Sequence, residues 1–208
     1  MAFYPLLIEF EGAPCLVAGG GHIALHKAEL LAQQGAEVTV VAPQICDEIR
    51  ALGVRTELRK VQPEDAYGKM LVVDASGSPE AEEILRKACQ DFCIPYNCAG
   101  HGASCSAIFP AVFRKGRTVV AVSSQGASPP ASAWLRDELS KHVPERMDEI
   151  LDAMAEFRGI SKQVFSDQPV RSSYLHSCLE RMLEKGEVIS SEEELEIRER
   201  IKRGTENE

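Results

Sequence analysis

Apolar and polar positions follow two different patterns along this chain. Over roughly the first hundred residues, short apolar runs bounded by glycine or proline alternate with segments of helical apolar spacing. Residues 14–18 and 37–42 read as buried parallel strands, and residues 22–34 between them as a helix. Residues 54–59, 70–75 and 93–97 are further strand candidates. Ser78 followed by Pro79, Glu80 and Glu82 reads as a helix start, with serine as N-cap, proline at the first helical position and acids in the first turn. This alternation predicts an α/β fold in which a doubly wound parallel sheet carries helices on both faces and takes ligands at the carboxyl ends of its strands.

From about residue 104 the pattern changes. Residues 107–113 and 118–123 are strand-like runs separated by Arg114-Lys-Gly-Arg117, which predicts a β-hairpin and not another crossover. A helix with Trp134, Leu135 and Leu139 on its apolar side follows Ser128-Pro129-Pro130, with Ser128 as its N-cap. Residues 144–203 read as entirely helical, with starts at Pro144 and at Ser190 and Ser191, which precede Glu193 and Glu194 as in a capping box. Gly186 marks a break between the last two helices. The expected division is therefore residues 1–105, a hairpin region at 106–143 and a small helical domain at 144–208. A hairpin too small to bury itself needs a partner surface, so a homodimer built on the second half is expected.

The chemistry concentrates in Cys15-Leu-Val-Ala-Gly-Gly-Gly-His22-Ile-Ala24, where a short apolar strand runs into a glycine turn that opens a helix. The spacing is G-x-G-x-x-A. Gly19 can make the tight turn, Gly21 lets the backbone approach a phosphate, Ala24 permits close packing of helix on strand, and the helix-terminal N–H groups supply partial positive charge. With the second strand, Glu37 to Pro43, at βαβ spacing, this predicts a Rossmann-type dinucleotide site.

Composition narrows the setting. With 208 residues, 44% hydrophobic and 26% charged, the chain has enough for one good core plus an appendage. A formal net charge of −9 argues against a nucleic-acid partner. No apolar run approaches the ~20 residues that span a bilayer, and the opening Met-Ala-Phe-Tyr-Pro carries no signal-peptide features, so a cytoplasmic protein without a membrane partner is expected. Seven cysteines read as reduced thiols. Arg114, Lys115, Arg117 and Arg136 form the local basic patch that a polyanionic small molecule would need, or else a solvated turn and helix face.

These residues resemble the precorrin-2 dehydrogenases, a family that includes the first module of siroheme synthase. The likeness rests on Tyr4-Pro5-Leu6, Val17-Ala-Gly-Gly-Gly21 with Ala24 and Lys27, and Gly35-Ala36 with Val38 to Pro43. It continues through Ile108-Phe-Pro110-Ala, Val120-Ala-Val-Ser-Ser124 and Gly126-x-Ser128-Pro129. It covers roughly residues 3–142. The resemblance implies an NAD-binding Rossmann domain, a dimerisation region and a helical domain. It also implies NAD-dependent oxidation of precorrin-2 to sirohydrochlorin, on a polycarboxylated tetrapyrrole substrate; some members also insert Fe²⁺ into the product. Carried over residue by residue, the cofactor contacts are Gly19, Gly21, His22 and Ile23 with Ala24 at the glycine turn, Pro43 and Gln44 beside the adenosine ribose, and Ser76 and Asn97 at later strand ends. The second strand ends without the Asp or Glu that commonly binds the ribose hydroxyls, so NAD is expected by resemblance while the residues themselves are neutral.

The chain departs from that family where its aspartate, usually assigned to proton removal and metal handling, aligns with Gly100 in Asn97-Cys98-Ala99-Gly100-His101. The aspartates of the family's Ala-Thr-Asp-Asp element are also replaced, here by Gly77 and Ser78 after Ser76. Glycine cannot accept a proton. His101, with an ordinary imidazole pKa of about 6.5, is the candidate base; water, a substrate carboxylate, or loss of the dehydrogenase step are the alternatives. Ser124, at the end of its strand, is a candidate to bind a substrate carboxylate, and it lacks the histidine and acid of a serine nucleophile. Cys98-x-x-His101-x-x-x-Cys105, with Cys89 and Cys93, has spacing compatible with a metal, but buried thiols acting as small hydrophobes are the favoured reading and no metal site is expected. The rival function is a tetrapyrrole- or metal-binding relative, a carrier or ferrochelatase, that no longer oxidises.

Overall fold

A computed structural model describes residues 3–100 and 104–205. The chain divides into two compact units, Met1–Phe109 with Gln125–Ser128, and Pro110–Ser124 with Pro129–Glu208. The hairpin thus groups with the helices that follow it in one unit, where the sequence pattern drew three parts.

In the first unit five strands, β1 (Pro14–Ala18), β2 (Glu37–Val41), β3 (Arg55–Glu57), β4 (Leu71–Asp74) and β5 (Tyr96–Cys98), form one parallel sheet in the order β3-β2-β1-β4-β5. Strand side chains alternate between faces, and the sequence supplies apolar groups to both. Val17, Val40 and Val73 meet helix α1 (His22–Ala32) and the short helix α2 (Asp47–Ala51) on one side. Leu16, Val41 and Val72 meet helix α3 (Pro79–Asp91) on the other. α1 turns Ala24, Ala28 and Leu31 inward, and α3 turns Ala81, Leu85, Ala88 and Cys89. Those are the spacings of a single buried helix face. The sheet is therefore doubly wound, as the pattern predicted. The strand order reverses between β1 and β4, where Ala18 pairs with Asp74.

Two elements differ from expectation. The run 107–113 is not one strand: Ala107 and Phe109 pack against the first core, and the strand β6 (Ala111–Lys115) begins only after Pro110. Phe109 also lies under the Lys27 ammonium, 3.9 Å from its ring centre. α2 was not foreseen, because five residues span too few turns to display a period.

In the second unit β6 pairs antiparallel with β7 (Thr118–Val122) around a two-residue loop, Gly116-Arg117. Helix α4 (Pro129–Ser140) packs on this hairpin. Lys115 pairs with Glu145 at 2.6 Å and Arg117 with Asp152 at 2.7 Å, which ties the hairpin to helix α5 (Met147–Val164) and the turn before it. α5, α6 (Gln168–Lys185) and α7 (Ser191–Thr205) enclose Tyr174, Cys178 and Met182, all fully buried. Gly186 ends α6 in the left-handed conformation, as its position suggested. The capping box before α7 is formed by Ser190 and Glu193, each accepting from the other's backbone N–H, at 3.2 and 2.9 Å. Trp134, Leu135 and Leu139 do share a stripe on α4, but it lies on the surface of the single chain, with Trp134 65% exposed.

Candidate nucleotide-binding site

At the carboxyl edge of the sheet the ends of β1, β2 and β4 surround a cleft of about 360 Å³. Its walls come from four connections: Gly19 and Gly20 after β1, Pro43 and Gln44 after β2, Lys60 and Val61 after β3, and Ser76, Ser78, Glu80, Ala81 and Ile84 from the β4–α3 turn and helix.

The glycine turn is built by close approach. Gly19 has φ +121°, and a Cβ there would stand 2.5 Å from the Ala75 carbonyl oxygen. At Gly20 a Cβ would lie 1.8 Å from the Gln44 carbonyl oxygen, so no side chain fits without moving the β2–α2 connection. Gly21 differs from both. It is the N-cap of α1, with ordinary extended dihedrals, and nothing lies within 4 Å of where its Cβ would be. No side chain caps this helix and no acid occupies its first turn. The first intrahelical bond of the turn runs from Leu25 N–H to the Gly21 carbonyl at 2.9 Å, which leaves the preceding amides without helical partners. An uncapped helix start beside open space and a cleft fits a dinucleotide pyrophosphate, with Pro43 and Gln44 placed at the end of β2, where such folds hold the adenosine ribose.

Beneath the cleft floor lies a polar network absent from the sequence reading. Asp74 ends β4 and is 2% exposed. One carboxylate oxygen accepts from the Ser76 backbone N–H at 2.9 Å and hydroxyl at 2.6 Å, and the other accepts from the Tyr96 hydroxyl at 3.2 Å. Burial first, then the neighbouring Asp74 carboxylate, pushes the Tyr96 phenol well above its usual range. The Ser76 oxygen in turn accepts from Ser78 N–H at 3.2 Å. The hydroxyl of Ser76 is therefore oriented before any ligand arrives. The sequence did carry a signal, an acid closing the apolar run Leu71-Val-Val-Asp74. Gly20 was passed over because the G-x-G spacing names only its neighbours.

The sequence-derived candidates fall into separate places. Gly19, Pro43, Gln44 and Ser76 line the cleft. Gly21 and the exposed His22 and Ile23 form the open helix start beside it. Ala24 is fully buried under α1 and serves packing. Asn97 lies outside the cleft; it is 8% exposed, and its side-chain amide donates to the Ala107 carbonyl at 3.0 Å, holding β5 to the segment after it. Ser124 belongs to the second unit, where its backbone N–H donates to the Ser132 hydroxyl at 3.0 Å and its own oxygen accepts from that hydroxyl at 2.9 Å. His101 lies outside the described residues. Gly100 takes φ +133°, a backbone that side-chain-bearing residues rarely adopt, so the turn after β5 is shaped for glycine at this position.

The basic patch is occupied by acids of its own unit: besides the Lys115 and Arg117 pairs, Arg136 holds Asp137 at 2.6 Å. Among the described residues no group of three or more His, Cys, Asp or Glu stands close enough to hold a metal. Cys15 and Cys89 are buried thiols whose burial raises their pKa to about 11 and about 12. Cys105 Sγ accepts from the Cys98 N–H at 3.0 Å, which makes it part of the β5 turn. No described helix is long and apolar enough to cross a membrane.

A parallel doubly wound sheet with a glycine turn, an open helix start and a cleft at its switch point defines a Rossmann-type nucleotide-binding protein. Residues 6–111 match the profile of a family described as "NAD(P)-binding", and the chain belongs to that family. It is 35% identical over 178 residues to "Siroheme synthase" of Pseudomonas putida (strain W619), covering 84% of this chain and 38% of that protein. The protein of the same description from Pseudomonas paraeruginosa (strain DSM 24068 / PA7) is 36% identical over 171 residues, covering 80% and 37%. The chain thus spans well under half the length of these curated relatives. Among solved structures, "SirC, precorrin-2 dehydrogenase" superposes with a TM-score of 0.71 at 24% identity, over 97% of this chain and all of that one, a likeness of fold.

Proposed function

We propose that this chain is an NAD-dependent dehydrogenase that oxidises precorrin-2 to sirohydrochlorin on the way to siroheme, acting as a cytoplasmic homodimer. The observation that carries the reading is the open start of α1 beside the cleft, in a chain similar over 84% of its length to 38% of a siroheme synthase. The nicotinamide, when bound, supplies the acceptor for one hydrogen and its electron pair. The chain's own residues bind and orient. Amides at the start of α1 would hold the pyrophosphate and Pro43 and Gln44 the adenosine ribose, while Val61, Ala81 and Ile84 give the cleft an apolar wall.

The second hydrogen leaves the macrocycle as a proton, and His101, next to the glycine that replaces the family's acid, is the residue assigned to take it. Ser124 is assigned to a substrate carboxylate, with its oxygen already oriented by Ser132. The exposed stripe of Trp134, Leu135 and Leu139 on α4, with Val112 on the hairpin, supports the dimer, because a single chain leaves it uncovered.

The experiment is anaerobic turnover, with precorrin-2 generated in situ, NAD⁺ added, and the sirohydrochlorin spectrum followed. Protein- and NAD⁺-dependent product is expected. A folded protein that binds sirohydrochlorin and yields none would move the assignment to a tetrapyrrole-binding or chelatase role, which the loss of the acid at Gly100 favours.

A further inference from the structure

β2 ends at Val41 and continues as Ala42-Pro43-Gln44, with no acid to bind the adenosine 2′-hydroxyl or repel a 2′-phosphate. Discrimination between the two dinucleotides must then come from elsewhere in the cleft or be lacking. Among its described lining residues the cleft holds one cation and one anion, Lys60 from the connection after β3 and Glu80 from the first turn of α3, and they are paired at 2.9 Å. Arg59, beside Lys60, is closed to a ligand. Its guanidinium donates to both oxygens of Asp65 at 2.6 and 2.7 Å and also to Glu57, and these bonds raise its pKa further. Lys60 is thus the cation of this lining that a 2′-phosphate could reach, and Glu80 already holds it. A dinucleotide with that phosphate would have to part the pair and set a second anion beside the Glu80 carboxylate; one without it would leave the pair intact. Both side chains are well exposed, 74% and 64%, so the pair adds little to folding and its effect falls on the ligand.

We propose that the Lys60–Glu80 pair sets the choice of dinucleotide, with Glu80 acting in place of the acid missing at the end of β2 to disfavour NADP. The proposal rests on the nucleotide reading of the cleft. The test is fluorescence titration of NADH and NADPH with the whole chain, with Glu80→Gln, and with Glu80→Gln combined with Lys60→Gln. The wild-type chain is expected to bind NADH at least about tenfold more tightly than NADPH. Glu80→Gln is expected to tighten NADPH by about tenfold while NADH stays within about threefold, and the double substitution to cancel that gain. Unchanged NADPH affinity in Glu80→Gln, with NADH still bound, overturns the proposal, as does a wild-type chain that binds both equally. A wild-type chain that binds neither overturns the nucleotide reading as well, and is told apart by the loss of NADH.

Discussion

Helices α1 and α3 leave neighbouring strands at the same edge of one sheet, yet their first turns are opposites. α3 is closed. Ser78 accepts from Ala81 N–H at 3.4 Å, Pro79 presents no N–H, and Glu80 and Glu82 face the positive end of the helix. α1 begins at a glycine with no side-chain cap and no acid in its first turn. A start that answers its own amides is a structural joint, and a start that leaves them open is suited to an external anion. The Asp74 network lies next to the closed start, and the Gly19–Gly20 backbone contacts next to the open one.

The largest effect should come from Gly20→Ala. With the Gln44 carbonyl 1.8 Å from the new Cβ, the β2–α2 connection must shift, at a cost of about 3 kcal/mol or more, and NADH binding should go with it. Urea unfolding and NADH titration check both; a variant that unfolds at the wild-type midpoint would show that the turn is not held by this contact. Asp74→Ala follows. It strips partners from the Ser76 N–H and hydroxyl and from the Tyr96 hydroxyl, and should cost about 2–4 kcal/mol in the same unfolding measurement. A loss below about 1 kcal/mol would mean the network is not what sets the floor of the cleft.

The two turns also mark how far the sequence could be read. The open start was legible because glycine at a strand–helix junction has few other uses, and the closed one because Ser78-Pro79-Glu80 names each cap position. Gly20 was not legible, because its necessity arises from a carbonyl in another connection that meets it only after folding. Asp74 was visible as an acid closing an apolar run, but its role was not, since its partners come from β5 and from the turn after its own strand. In the second unit the stripe of Trp134, Leu135 and Leu139 could be read as apolar but not placed, because periodicity gives a face and not what covers it. The basic cluster misled in the other direction: Lys115 and Arg117 are engaged by Glu145 in the turn before α5 and by Asp148 and Asp152 on α5, acids that sequence proximity does not reveal.

Gly21→Asp makes α1 begin as α3 does. The backbone at Gly21 suits any residue and the space is open, and aspartate is a better N-cap than glycine, so stability should hold or rise by a few tenths of a kcal/mol. NADH affinity should fall by about a hundredfold, since a carboxylate would occupy the place and take the amides proposed for the pyrophosphate. Unchanged affinity in a folded variant would remove the pyrophosphate from this turn.

Ser78→Ala is the reciprocal change and the smallest. It removes the Oγ that accepts from Ala81 N–H, a long bond at 3.4 Å, while the Ser78 backbone N–H keeps its bond to Ser76 Oγ and Pro79 keeps the first turn in place. The loss should be about 0.5–1 kcal/mol in urea unfolding, the low end of what a serine cap contributes. Ser78 lines the cleft, but its hydroxyl is turned to its own helix, so NADH affinity should change by less than about threefold. Together the two substitutions should cross: one weakens binding about a hundredfold at no cost in stability, the other lowers stability and leaves binding. If Ser78→Ala weakened NADH as much as Gly21→Asp does, the nucleotide would be held at both helix starts, and the division between an open start and a closed one would fail.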